Sequence, residues 1–408
     1  MPRCVNIDWL EVYCLESNTE YPCNAEYFRS HGYIVHERDY GTRQYKEMFT
    51  LEDRFGKNFV EVRRAPVSPD MAAYGISEFS THIRLVNRQC YADDAVTMLI
   101  EFLARHNYIF KRIYRLDICL DFEKFDWGQM PFKFVRSYLQ GKIRKINQCN
   151  LSAHGVDNWN ATEYDYLSWG SRNSMVTTKI YNKTKELAET NNDKPYIKQA
   201  WYLCGLIDDV QTMEKITEDG TRYKPDIWRV EFSLNSKADH WLVIEDTSGK
   251  RVKKKAIAHE LSMFTGRDKL WHRFEELAYH YFRFKYFKEG QRKDRCPDCN
   301  LFRFNLSRDF YKVMQLASDK RKVSEIEILR NRLYKYVSHS INPQINKACY
   351  LIIEELERQD LTRFTPNGLD AETAVYSVMN KINASGKVFI GYDTAATILQ
   401  DIRQGYIW

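Results

Sequence analysis

The clearest pattern in the chain is a strict alternation of apolar and polar positions over residues 114–122. Tyr114, Leu116, Ile118, Leu120 and Phe122 fall on one side of an extended strand, and Arg115, Asp117, Cys119 and Asp121 on the other. Two further stretches repeat it. Over 176–183, Lys179, Tyr181 and Lys183 stand opposite Val176, Thr178 and Ile180; over 228–234, Arg229 and Glu231 stand opposite Trp228, Val230, Phe232 and Leu234. Extended segments are also predicted at 33–38, 43–51, 58–64, 81–88 and 164–169, with a turn at Tyr40-Gly41-Thr42 and a polar, Asn-rich loop over 147–162. Helical spacing marks 91–106, 131–140, 183–190 and 267–288, the last with Leu270, Phe274, Leu277 and Tyr281 on one face. Past Arg303 the strand signals fade, and 322–336, 345–358 and 371–382 read as helices. The pattern predicts an α+β fold. An antiparallel sheet with helices packed on one face, and a polar face left over, belongs to a domain of residues 1–304; a helical C-terminal domain of residues 305–408 follows.

A chain of 408 residues, 44% apolar and 28% charged, can bury a large core without staples, and disorder is not expected to dominate. The charge balance of +6 permits an anionic partner without demanding one. Cations gather at Arg63-Arg64, 142–145, 251–255 and 292–295; such runs are ordinarily solvated surface, with phosphate contact as the alternative. The ten cysteines are scattered and residues 1–10 lack the apolar core of a secretory signal, so a reduced, cytoplasmic setting is expected. No apolar run approaches the roughly 20 residues of a bilayer span, and no membrane association is expected. Cys296-Pro-Asp-Cys299 is half of a zinc site with no second pair nearby, and two thiols of no special role is the simpler reading. The chain has no glycine-rich phosphate loop with Lys-Ser or Lys-Thr, no His-Glu-x-x-His helix and no His-hydrophobic-His pair. These absences argue against nucleotide hydrolysis, zinc proteolysis and the histidine-based type of nicking site.

A half-buried antiparallel sheet usually turns its polar side to water, and solvated strands are the plain reading of the three alternating segments. The content of the polar positions points further. Two aspartates, a glutamate, a tyrosine and flanking cations are the parts needed for metal-assisted attack on a phosphodiester.

Three motifs in one order carry a resemblance to a known family. They are Arg115-Leu-Asp117-Ile-Cys-Leu-Asp121; Gly170-Ser-Arg172-Asn-Ser174 followed by Lys179-Ile-Tyr181-Asn-Lys183 and Glu186; and Arg229-Val-Glu231-Phe. Together they resemble the strand motifs of the Rep_trans replication initiation factors, which include plasmid rolling-circle initiators, some phage replication proteins and relaxases of certain conjugative elements. Order and spacing agree over 114–234, and the strand-rich region before them is compatible, so the resemblance covers about half the chain. It implies a DNA nickase and strand transferase working through a 5′-phosphotyrosine bond, with Tyr181 as nucleophile and Lys183 as its catalytic cation. It further implies a divalent metal, Mg²⁺ or Mn²⁺, held from Asp117, Glu231 and Asp121, and phosphate contacts by Arg115, Arg172, Lys179 and Arg229. The implied partners are origin or transfer-site DNA and a host helicase that unwinds it. Recognising origin DNA, forming a homodimer and recruiting a partner are all open to the C-terminal domain. Asn182 departs from the family, many of whose members have Asp between the tyrosine and the lysine.

A free phenol has a pKa near 10 and attacks poorly at neutral pH, so its anion needs stabilisation. Lys183, two positions along the strand, is about 7 Å away by Cα and within reach of a long side chain. Asp117 and Asp121 stand about 13 Å apart along one strand, too far to share an ion whose oxygen ligands lie at about 2.1 Å. That favours Asp117 with Glu231 as the ligand pair and leaves Asp121 to orient Arg115 or cap the next turn. Two other function classes stay open: a catalytically silent DNA-binding protein of the same fold, and a structural protein whose polar sheet face packs on a partner. Clustered carboxylates favour the enzyme, because a phosphate binder needs the cations and gains nothing from the acids.

Overall fold

The computed structural model describes residues 2–17, 22–42, 44–53, 56–67, 79–147, 150–158, 161–171, 174–189, 194–238, 240–245, 253–303, 315–316, 329–330, 332–334, 336–337, 342–358, 371–385 and 389–404. The chain divides into two units, Met1–Ser318 and Asp319–Trp408.

The first unit is built on a ten-stranded antiparallel sheet. In chain order its strands are β1 (Arg3–Glu16), β2 (Ile34–Glu37), β3 (Tyr45–Glu52), β4 (Asn58–Pro66), β5 (Ser80–Leu85), β6 (Tyr108–Phe122), β7 (Leu151–Asn158), β8 (Ala161–Trp169), β9 (Val176–Asn182) and β10 (Trp228–Asn235). They lie side by side as β2-β3-β4-β5-β1-β6-β10-β9-β8-β7, so the three strands with the alternating motifs, β6, β10 and β9, are adjacent. Among the described residues this unit has helices α1 (Ala25–Ser30), α2 (Asn87–Cys90), α3 (Ala95–Arg105), α4 (Pro131–Leu139), α5 (Lys183–Glu189), α6 (Pro195–Leu203) and α7 (Arg267–Tyr281).

The apolar face of the sheet forms the core. Leu116, Ile118, Leu120 and Phe122 of β6 are fully buried, with Val230 and Phe232 of β10 and Ile180 of β9 beside them. Helix α7 lays Leu270, Phe274 and Leu277 against this face, the Phe274 ring 5.3 Å from that of Phe232. Helix α3 contributes Val96, Leu99, Phe102 and Leu103, and α4 contributes Phe134 and Val135. Each such side chain contributes roughly 1.5–3 kcal/mol by leaving water.

Several sequence expectations need correction. Strand β1 lies at the centre of the sheet, yet period-two alternation fails to reveal it because it carries a bulge. Asn6 is opposite Cys119 and Ile7 opposite Ile118, but the next partner of Asp117 is Trp9, leaving Asp8 as an extra residue. The phase shifts there, so Val5, Ile7, Leu10 and Val12 are all buried among apolar residues although their spacing is not uniform. Part of the expected loop over 147–162 is strand β7, paired along its length with β8. The helix expected to reach residue 288 stops at Tyr281, and Phe284–Tyr286 instead pairs with Ile143–Lys145 and Asp298–Cys299 in a small separate sheet. Phe282 and Phe284 there join Phe134 and Trp169 in an aromatic cluster, whose packing outweighs local helix propensity. Helix α6 was not expected.

In the second unit, α8 (Pro343–Arg358), α9 (Ala371–Ala384) and α10 (Tyr392–Gln404) surround a core of their own that includes Ile352, Leu356, Val378, Met379 and Ile398. The helix expected over 322–336 falls largely outside the described residues, and α10 is an addition to the sequence reading. Among the described residues no helix is long and apolar enough to cross a membrane.

Candidate active site

Strand register sets the polar face in rows. Tyr181 is opposite Arg229, which is opposite Asp121; Lys179 is opposite Glu231, which is opposite Cys119; and Ser233 is opposite Asp117, whose other neighbour is Trp9. Residues far apart in the chain are thereby fixed on rigid, hydrogen-bonded backbone within side-chain reach of each other.

Glu231 is the hub. The half-buried Tyr181 donates its hydroxyl to Glu231 Oε2 at 2.9 Å, while the Lys179 ammonium donates to Oε1 at 2.6 Å and the Ser233 hydroxyl to the same oxygen at 3.2 Å. Burial and then the Glu231 charge push the Tyr181 phenol well above its ordinary range, so the proton stays on oxygen with an acceptor already in place. Burial alone would lower Lys179, but Glu231 outweighs it and raises the ammonium above its usual value.

Lys183 begins helix α5 rather than continuing the strand, because β9 ends at Asn182. The Asn182 side chain accepts from the Lys185 backbone N–H at 2.9 Å, as a helix cap does, and donates to Asp226 at 2.5 Å. The Lys183 ammonium still lies 5.4 Å from the centre of the Tyr181 ring and pairs with Glu186 at 2.6 Å. Burial and the nearby Arg229 lower its pKa.

Arg229 and Asp121 are not placed as the motifs implied. Both are fully buried: Arg229 donates to Asp121 at 2.6 and 2.7 Å and to Asp8 at 2.8 Å, and the indole N–H of Trp201 on α6 donates to Asp121 at 2.7 Å. Tyr91 donates to Asp8 at 2.5 Å. Burial would raise Asp8, but the Arg229 guanidinium and the Lys183 ammonium outweigh it and hold its carboxyl at about 2. Arg229 therefore acts as an internal tie between three strands, not as a phosphate contact, and Asp121 orients Arg229 rather than Arg115. The polar face is closed by α6 at this end.

At the other end the face is open. Arg115, with its side chain 40% exposed, donates to Asp117 at 2.5 and 3.1 Å and lies over the Trp9 ring. Burial and then Glu231 raise the Asp117 carboxyl to about 6, against the pull of Arg115. Two acids near enough to repel one another have the donor chemistry that a hard divalent cation answers, although both carboxylates are already engaged here, Asp117 by Arg115 and Glu231 by Lys179, Ser233 and Tyr181. Asp121 is fully buried with its oxygens taken by Arg229 and Trp201, away from the open part of the face. Among the described residues no three His, Cys, Asp or Glu side chains converge on one point, so an ion held here would complete its shell with water or phosphate oxygens. Arg172 lies outside the described residues. The Arg63-Arg64 run is spent within the protein, Arg63 on Glu61 and Glu11 and Arg64 on Glu16 and Glu47.

The sequence reading missed Asp8, Trp9, Tyr91, Tyr166 and Trp201. Tyr166 lies opposite Tyr181 with ring centres 6.0 Å apart and was available from the alternation of 164–169. Trp201 was available from Pro195 at a helix start with Ile197, Ala200 and Trp201 at helical spacing. Asp8 and Trp9 were hidden by the bulge.

Neither a family model nor a curated protein matches the chain. A solved structure, the rolling circle replication initiator protein from Geobacillus stearothermophilus, aligns with 73% of this chain and 93% of its own at 12% identity and a TM-score of 0.41.

Proposed function

We propose that this protein nicks and rejoins single-stranded DNA through a covalent bond between Tyr181 and the 5′ phosphate at the cut, as an initiator of rolling-circle replication or a related mobilisation relaxase. The observation that carries this reading is the Tyr181 hydroxyl donating to Glu231 at 2.9 Å while Lys179 holds the other carboxylate oxygen at 2.6 Å. Nucleophile, base and orienting group stand in hydrogen-bond sequence, the arrangement that activates a weak hydroxyl. Clustered carboxylates around a tyrosine serve such chemistry and would only weaken a simple phosphate binder.

Glu231 accepts the phenol proton as the Tyr181 oxygen attacks phosphorus. The bond from phosphorus to the 3′ oxygen breaks, and that oxygen leaves as a hydroxyl once it takes up a proton. One phosphate ester replaces another, so the reverse attack by the 3′ hydroxyl rejoins the strand without ATP. The Lys183 ammonium, buried 5.4 Å from the Tyr181 ring centre and paired with Glu186, would offset the negative charge that develops on the Tyr181 oxygen as its proton leaves. A divalent ion, were one held from Asp117 on the open part of the face, would supply Lewis-acid polarisation of the phosphate and leave Glu231 to take the proton.

The test is incubation of the full chain, and of Tyr181→Phe, with supercoiled DNA carrying the neighbouring replicon sequence, in Mg²⁺ or Mn²⁺ and in EDTA. Metal-dependent nicking with a protein-linked 5′ end, lost in the variant, is the expected result. Binding without nicking or linkage would instead make the protein a silent DNA-binding relative.

A further inference from the structure

Arg84 of β5 is placed in register between two glutamates, Glu61 on β4 and Glu11 on β1. It pairs with neither. Arg63 takes both, donating to Glu61 at 2.5 and 2.9 Å and to Glu11 at 3.1 Å, while His82 shares Glu11 and Arg38 lies 3.7 Å from Glu61. The Arg84 guanidinium turns instead onto the indole of Trp9, 3.4 Å from the ring centre, and is anchored by donation to Asn87 at 2.7 Å. Its Nε is buried with no hydrogen-bond partner, and among the described residues it has no carboxylate within ion-pair distance. Arg115, from the strand on the other side of β1, lies 4.3 Å from the same ring centre. Two guanidiniums thus converge on one half-buried indole, beside Asp117 and on the open part of the polar face.

A guanidinium that makes no direct ion pair and lies against an aromatic ring on a partly open face is the chemistry that receives a phosphate oxygen. From strand spacing, Trp9 is three strands across and about four residues along from Tyr181, roughly 19 Å by Cα. That is a few nucleotides away along an extended strand.

We propose that Arg84, Trp9 and Arg115 form a subsite that grips a backbone phosphate of single-stranded DNA a few nucleotides from the one attacked by Tyr181. The proposal rests on the reading of Tyr181 as the nucleophile. It adds Arg84 and Trp9, which the sequence motifs do not single out, as residues that position the strand.

The experiment is fluorescence anisotropy with a labelled oligothymidine, in EDTA to prevent cleavage, over a series of salt concentrations. For single strands each phosphate contact contributes about 0.7 to the slope of log affinity against log salt. Arg84→Gln is expected to lower the slope by about 0.7. Arg84→Lys keeps the charge and should keep the slope, and Trp9→Leu should weaken binding several-fold with the slope retained. Urea unfolding of each variant identifies any loss of folding; should Arg84→Gln be destabilised, a wild-type slope in Arg84→Lys supports the contact, and a slope that is the same in Gln and Lys variants overturns it. A wild type that does not bind the oligonucleotide also overturns it. The two readings fail separately: nicking with a linked Tyr181 but an Arg84-independent slope sinks the subsite alone, and an Arg84-dependent slope without nicking sinks the nickase alone.

Discussion

Replacing Arg229 with Met tests whether this arginine is part of the fold or part of the DNA site. The guanidinium is fully buried and makes bonds of 2.6, 2.7 and 2.8 Å to two carboxylates, Asp121 and Asp8. Methionine fills much of the volume, so the lost packing is small, but Asp121 is left in the interior with Trp201 as its donor and Asp8 with Tyr91. Removing one partner of a buried ion pair costs about 3–5 kcal/mol, chiefly because the other charge stays buried and unpaired. With a urea m-value of about 3 kcal/mol/M, the unfolding midpoint should fall by about 1–1.7 M. Tryptophan fluorescence is a suitable probe: eight of the nine tryptophans, all but Trp408, lie in the first unit, so the signal follows the sheet domain even if the helical unit unfolds separately. Arg229→Met combined with Asp121→Leu should recover part of the loss, since no acid then remains at the 121 position to be desolvated. A single variant within about 1 kcal/mol of wild type that instead lowers the salt slope of DNA binding would refute the buried tie and restore Arg229 to the phosphate.

Other expectations follow from the same geometry. Asp117 and Asp8 should respond to pH with opposite sign. Asp117 titrates at about 6 in the folded chain, so the folded state holds the extra proton and stability falls as pH rises from about 4 to 6; Asp117→Asn should be more stable than wild type by about 1–3 kcal/mol near neutrality, the difference closing below about pH 4. Asp8 is held at about 2, so its contribution is present above about pH 4 and lost as pH falls to 2; Asp8→Asn should cost about 1–2 kcal/mol near neutrality and little near pH 2, with urea midpoints across pH checking both. Gly170 has φ +110° and a Cβ there would stand 3.1 Å from the Val176 carbonyl, so Gly170→Ala should destabilise the β8–β9 connection by about 1–3 kcal/mol in the same assay. Asn182→Ala should cost about 1–3 kcal/mol through the lost cap of α5 and the lost donation to Asp226, and Asn182→Asp, which keeps the cap but sets a second carboxylate against Asp226, should also be destabilised near neutrality; a midpoint in Asn182→Ala equal to wild type would show that neither bond is needed.

The sequence by itself determined the alternating strands and which side of each is polar. Period two leaves no freedom there, so Asp117, Lys179, Tyr181 and Glu231 could be named as one face before any fold was known. Gly170 is part of the same legible motif, and its left-handed backbone gives a physical reason for a glycine at that turn. The pairing of strands was decided by tertiary structure alone, because register depends on partners distant in the chain. It places Glu231 beside Lys179 rather than Asp121, and Asp121 beside Arg229. The central strand β1 was hidden by one bulged residue, and with it Asp8 and Trp9. Burial, too, is a property of the assembled molecule: α6 covers one end of the polar face and turns Arg229 and Asp121 inward, while Arg115 stays partly open at the other end. Alternation records that a side chain is polar and which way it leaves the strand; whether it meets water, a carboxylate or a nucleic acid depends on what the rest of the chain lays over it.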